Sequence, residues 1–323
     1  MTDGQQARST TSVPVGQGDR AWPALRTDGR WPATRNYLHL VSQMLGKVRL
    51  ALAPPQPEWF HTPLSLTPRG LTTRLLPIPS GALEVSLDII DGVLRLSATG
   101  DRIRTVDVVP ARPISAIWSD LRAALVDLDV IVDLWDKPQE QADVTPFSVD
   151  DRRRDYDPEL AADWLAILTD VHGLFEAWRS HFFGRSGVNF WWGGFDLTVA
   201  LYNGRHATPR PGSNYIMRHD LDAEHLTIGF WPGDDNNEPM FFSYLVPEPP
   251  DCPAYPMDVL TTSWAPTRAE WVLPYDALRD RADRHDVVRR FMDAAYRAAG
   301  DLAGWDLATL TYVAPPPAPR GPR

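Results

Sequence analysis

With 323 residues, 43% hydrophobic and 10% aromatic including 13 Trp, the chain can build one large domain or two modest ones, which excludes a wholly disordered protein. The formal net charge is -10 and the basic residues are scattered, so the basic stripe expected of a nucleic-acid binder is missing. The single cysteine, Cys252, excludes an internal disulfide and a cysteine-based zinc site; beside Pro253 it reads as an inert loop thiol.

No stretch has the apolar length needed to span a bilayer, and residues 1–20 lack the hydrophobic run of a signal peptide, so a cytoplasmic protein without a membrane partner is expected. Residues 1–20 and the Pro-rich 314–323 read as tails around a single compact α+β unit over 21–313.

The first helix is expected from Thr34, its cap, to the Pro54–Pro55 stop, because Tyr37, Leu40, Val41, Met44, Leu45 and Val48 recur three and four residues apart. His39, Gln43 and Lys47, with Arg49 nearby, form a polar stripe beside that apolar one, either a solvated face or a row of site groups. Strands follow at 59–76, LEVSLDII from Leu83, GVLRLSA from Gly92 and IRTVDVV from Ile103, with Asp91–Gly92 as a hairpin turn. A second helix spans Ile114 to Leu128. A short strand, VIVDLW, ends at Trp135, and 136–157 reads as a linker.

The strongest helical period runs through Leu160, Trp164, Ile167, Leu168, Val171, Phe175, Trp178 and Phe182, with Asp157 as N-cap, Pro158 as first residue and Gly184 as terminator. At about 1.5 Å per residue it would be roughly 39 Å long. Strands return at 187–204, LTIGFW from Leu226, PMFFSYLV from Pro239 and EWVLPY from Glu270. A last helix is expected from a cap at Asp286 to Gly300. The order helix, four strands, helix thus occurs twice, over about 21–135 and 158–313. This implies an α+β fold of two similar halves, antiparallel sheet covered by helices.

The usual nucleotide, serine-hydrolase, zincin and EF-hand signatures are absent. MRHDLDAEH, residues 217 to 225, is dense in His219, Asp220, Asp222, Glu224 and His225, but its spacing matches no standard metal site and no metal is assigned. GDDNNEP, 233 to 239, reads as a hairpin turn, with Glu238 next to the following strand.

The segment GVNFWWGGFDLTVALYNG, 187 to 204, holds a lone carboxylate, Asp196, in an aromatic and aliphatic strand. Alternation puts Trp191, Phe195, Leu197, Val199 and Leu201 on a core face, and Phe190, Trp192, Asp196, Thr198, Ala200 and Tyr202 on a mixed face typical of a cleft wall. Burying a lone carboxylate is costly, so Asp196 must be exposed, paired with an arginine such as Arg69 or Arg205, or functional. Gly193 and Gly194 suggest a bulge that re-aims the following side chains.

The blocks LHLVSQMLGKVRLAL, TPRGLTT, FWWGGFDLTV with NGR, GFWPG, EPMFFSYLVPEPP, LPYDALR and GWD together resemble a family of bacterial proteins defined as a domain of unknown function, over Trp22 to about Trp305. That resemblance singles out His39, Lys47, Arg49, Arg69, Asp196, Arg205, Glu224, Trp231 and Glu238 as matching shared blocks. It also implies histidines in relatives where this chain has Glu58, Gly92, Asn189 and Ala223, so a histidine site there would be lost or changed here.

Two functional readings follow. In the first, the protein binds or processes a polar small molecule on the mixed sheet face, with ligand-binding candidates His39, Lys47, Arg69, Trp192, Asp196, Arg205, Glu224, Trp231, Glu238 and Tyr244. In the second, an aromatic surface docks a protein partner or a second copy, a homo-oligomer. No cofactor or catalytic residue is specified. Convergence of His39, Arg69, Asp196, Glu224 and Glu238 around one concave pocket would favour the first reading; their scatter over separate surfaces would sink it.

Overall fold

The structure, a computed structural model, describes residues 21–25 and 29–315; the expected tails lie outside these residues, apart from 314 and 315. Helix α1 (Trp31–Leu52) starts earlier than expected, because Pro32 fits a first helical turn, where an N–H has no partner anyway. Thr34 is therefore inside the helix, and its hydroxyl accepts from the Asp157 N–H at 2.9 Å instead of capping.

The expected strand at 59–76 is divided into β1 (Ser65–Thr67), β2 (Gly70–Thr72) and β3 (Leu76–Ile78). With β4 (Gly81–Asp88), β5 (Val93–Ala98) and β6 (Arg102–Asp107) they form an antiparallel sheet of order β1-β2-β4-β5-β6, with β3 also on β4. Gly92, at φ 66°, turns the chain between β4 and β5. Helix α2 (Ile114–Asp127) packs on β5 and β6, while α1 packs on β3 and β4. VIVDLW forms no strand: Val130 and Leu134 anchor it to the core, and Ile131 and Trp135 face solvent.

Helix α3 (Pro158–Arg179) has the expected cap, since the Asp157 carboxylate accepts from the N–H of Glu159 at 3.0 Å and of Leu160 at 3.4 Å. Its 22 residues make it about 33 Å long, shorter than expected. It stops before Gly184 because the chain turns to set Phe182 against Trp178 and Tyr296, with ring centroids 4.6 and 4.5 Å away.

The second sheet comprises β7 (Asn189–Trp191), β8 (Asp196–His206), β9 (Ala223–Trp231), β10 (Met240–Val246), β11 (Ser263–Ala265) and β12 (Glu270–Pro274), in the order β11-β12-β10-β9-β8-β7. A short helix, α4 (Tyr215–Asp220), interrupts the connection from β8 to β9. Helix α5 (Arg284–Ala303) runs past Gly300, because Leu307 of α6 (Leu307–Leu310) packs where a Cβ would sit, and ends at Gly304 with φ 64°. The fold is thus α+β with two antiparallel sheets of six strands each, in different strand orders.

Register sets the faces of the second sheet. Leu197, Phe230, Phe241 and Leu273 form one row and Val199, Ile228, Ser243 and Trp271 the next, on the side covered by α3 and α5. The opposite side carries Ala200, Thr227 and Tyr244 in one row and Tyr202 with His225 in another. Among the described residues no helix is long and apolar enough to cross a membrane.

Candidate functional site

Residues 187–204 are a hairpin and not one strand. A four-residue turn, closed by the Phe195 N–H on the Trp191 carbonyl at 2.7 Å and carrying Phe195 at φ 64°, pairs Trp191 with Asp196 and Phe190 with Leu197. An even turn exchanges the two parities. Phe190 therefore joins the core, against Trp164 and Phe195, while Trp191 moves to the outer face, where its indole N–H donates to Thr198 Oγ1 at 2.8 Å. Trp192, Asp196, Thr198, Ala200 and Tyr202 line the outer face as alternation implied.

That face is roofed. A turn at Pro57–Trp59 and helix α4 meet over it, the Trp59 indole donating to the Ile216 carbonyl at 3.0 Å and lying 5.9 Å from the Tyr215 ring. Sheet and roof flank a half-open cavity of about 320 Å³, within the roughly 300–1,000 Å³ of small-molecule sites. Rings of Trp59, Phe60, Trp191, Trp192, Tyr202 and Tyr244 line it, and Glu58, Glu140, Asp196 and Asp220 bring carboxylates from four separate segments. No lysine or arginine lines it.

The polar stripe of α1 explains how Glu140 arrives. Gln43 grips the Gln139 backbone from both sides, accepting from its N–H and donating to its carbonyl, each at 2.8 Å, while Lys47 Nζ donates to Gln139 Oε1 at 2.5 Å. His39 Nε2 donates to the carbonyls of Trp192 at 3.0 Å and Gly193 at 2.8 Å, and its ring stacks on Phe195. The stripe is thus buried, and it clamps the 139–140 segment to the hairpin turn. The turn's glycines bring these acids close: a Cβ on Gly193 would lie 2.3 Å from Glu140 Oε1, and one on Gly194 2.5 Å from Asp196 Oδ1, so a larger residue would push the carboxylates aside. Trp192 is held as firmly, its N–H on the Thr62 carbonyl at 2.9 Å and its ring flat against Gly46, where a Cβ would meet it at 2.2 Å.

Several wall residues have a left-handed backbone: Glu58 at φ 47°, Trp59 at 58° and Glu140 at 55°. Each such conformation costs on the order of 1–3 kcal/mol and persists only where its surroundings enforce it.

Burial, with repulsion from neighbouring acids, raises the acids of the cavity. Asp196 is pushed well above the usual carboxylate range, by burial first, then by Glu140, Glu270 and Asp220. Asp220 is raised to about 6 by burial and by Glu140, Glu58 and Asp222. Glu140 and Glu58 rise mainly through burial, Lys47 opposing it at Glu140 and Asp222 adding to it at Glu58. Burial also raises the hydroxyls of Tyr202 and Tyr244 and lowers His225 to about 4. His225 Nδ1 donates to the Ala223 carbonyl at 2.9 Å. Its Nε2 is then a lone-pair acceptor, and no described residue donates to it.

Of the sequence candidates, the cavity gathers Trp192, Asp196 and Tyr244. His39 and Lys47 stand behind it as supports. Arg69 pairs with Asp88 and Asp91 on the first sheet, and Arg205 pairs with Glu224 at 2.6 Å near the far end of β8. Neither arginine reaches Asp196. Trp231 donates to the Gly194 carbonyl at 3.0 Å with the Arg268 guanidinium over its ring, and Glu238 lies exposed in the β9–β10 turn. His39, Arg69, Asp196, Glu224 and Glu238 are therefore scattered, which overturns a ligand site built on those five; the residues that line the cavity are a different set. Glu58, Glu140 and Asp220 come from a turn, a linker and a loop helix, where no periodicity marks a side chain as inward. In MRHDLDAEH, Asp220 and His225 face the cavity, and among the described residues no three acids, imidazoles or thiols could share a metal ion.

A neighbouring cleft shares Glu140 and Gly194 with the cavity and holds Arg35, Arg152, Arg153 and Arg154. Three of its arginines are paired: Arg35 with Asp235 at 2.6 Å, and Arg152 and Arg154 with Asp150 at 2.7 and 2.5 Å. The cavity keeps its acids unmatched.

Fold and site define a two-sheet α+β protein with a half-open acidic-aromatic cavity. The chain belongs to a family of unknown function, DUF5996, which it matches over residues 22–312. Neither the curated proteins nor the solved structures contain a match.

Proposed function

We propose that this protein binds a polar small molecule in the cavity on the outer face of the second sheet. The observation that carries the reading is convergence: side chains from the Pro57–Trp59 turn, the 139–140 segment, the β7–β8 hairpin, α4, β9 and β10 close around one space. Unmatched acids and left-handed backbone on its wall are costly features, which a binding site retains and a merely structural cavity has no reason to keep.

The test is a thermal-shift screen of metabolites on the full chain and on Ala200→Trp, which fills the space beside Thr227 and Tyr244. A ligand at 100 times its Kd stabilises by about 2.7 kcal/mol. The expected result is that at least one metabolite raises the midpoint of the wild type and leaves the filled variant unmoved. Stabilisation equal in both proteins, or none at all, would sink the proposal.

A further inference from the structure

The cavity is short of positive charge: no lysine or arginine lines it. Asp196 has no ion-pair partner among the described residues, and His225, 3% exposed, keeps an unanswered acceptor at Nε2. The nearest lysine, Lys47, is spent on Gln139 and on the back of the Trp192 ring, 5.2 Å from its centroid. An anion entering this space would meet carboxylates from four segments and no basic side chain. A bare metal ion finds no three ligands together among the described residues. What fits is a positive charge on a carbon body, with N–H groups to give and a surface for the aromatic walls, whose ring faces attract cations.

We infer that the ligand is a protonated organic amine, its ammonium group donating to the carboxylates of Asp196 and Glu140, which both lie beside the Gly193–Gly194 turn, with Asp220 adding negative charge and the carbon body between Trp192 and Tyr244. The inference rests on the cavity being the small-molecule site proposed above. A quaternary ammonium would satisfy the rings but not the acceptors. A primary amine satisfies both.

Calorimetric titration of the full chain with four matched probes tests it: phenethylamine, phenethyltrimethylammonium, phenethyl alcohol and 3-phenylpropanoate. The amine should bind about ten-fold or more tighter than the alcohol and the trimethyl analogue, and the propanoate should give no heat. Asp196→Asn should weaken the amine about ten-fold and leave the alcohol unchanged. Asp220→Asn is the second variant, read in the same way should the first not fold. If the alcohol or the propanoate binds as tightly as the amine, the amine class is overturned while the cavity reading stands. If no probe binds, the amine inference falls, and the cavity reading is judged separately by the metabolite screen with Ala200→Trp.

Discussion

The two sheets share an antiparallel build and differ in how they treat charge. The face of the first sheet turned from its helices carries Glu84, Ser86, Arg95 and Thr105, and Asp88 at its edge meets Arg69. On the helix side, Arg102 and Arg104 reach Asp129 and Asp127 at the end of α2. The corresponding face of the second sheet is covered, and its acids have no basic partner in the cavity wall. A carboxylate at a sheet surface is ordinary when water or an arginine answers it. Cover without a basic partner is what separates this face from the solvated face of the first sheet.

Removing the enclosure should have the largest effect. Trp192→Ala deletes a buried indole set on Gly46 and Thr62, and is expected to cost about 3–5 kcal/mol in urea unfolding. A loss under about 1 kcal/mol would mean that the wall is loosely packed and the contrast between the sheets overstated.

The next effect is a pH dependence. His225 has a folded pKa of about 4, below its ordinary 6.5, so it contributes stability that is fully present above pH 6.5 and lost as pH falls through 4. The shift corresponds to on the order of 3 kcal/mol. His225→Gln should flatten that part of the stability profile between pH 6.5 and 4. An unchanged slope would show that the imidazole is not held neutral by burial.

The smallest effect tests the comparison directly, with the same substitution on each sheet. Asp196 has a raised folded pKa, so its stabilising contribution is present below the unfolded pKa of about 4 and lost as pH rises through the folded value. Asp196→Asn should therefore be neutral near pH 4 and stabilise the ligand-free protein by about 1–2 kcal/mol at alkaline pH. Asp88→Asn, which weakens the match to half-exposed Arg69, should destabilise at neutral pH by about 1 kcal/mol or less. Equal signs for the two variants would erase the distinction.

Much of the architecture was legible locally. The apolar stripes of α1, α3 and α5 and the alternation in β4, β5, β8 and β9 come from neighbours three, four or two residues apart, and these are what periodicity records. The mixed face of 187–204 could be read for the same reason, up to the hairpin turn that exchanged Phe190 and Trp191. The polar stripe of α1 was visible as a stripe, but its direction was not: a solvated row and a buried clamp have the same spacing, and Gln43 and Lys47 prove almost fully buried.

The sequence by itself determined the α+β class, most helix and strand positions, and the presence of Asp196 on a face with Trp192, Thr198 and Tyr202. Only the tertiary structure decided that Glu58, Glu140 and Asp220 join it, that Arg69 and Arg205 pair elsewhere, and that a roof closes over them all. The physical reason is range. Periodicity is set by bonds between near neighbours, whereas enclosure and charge balance depend on which distant segments come to within a few ångströms.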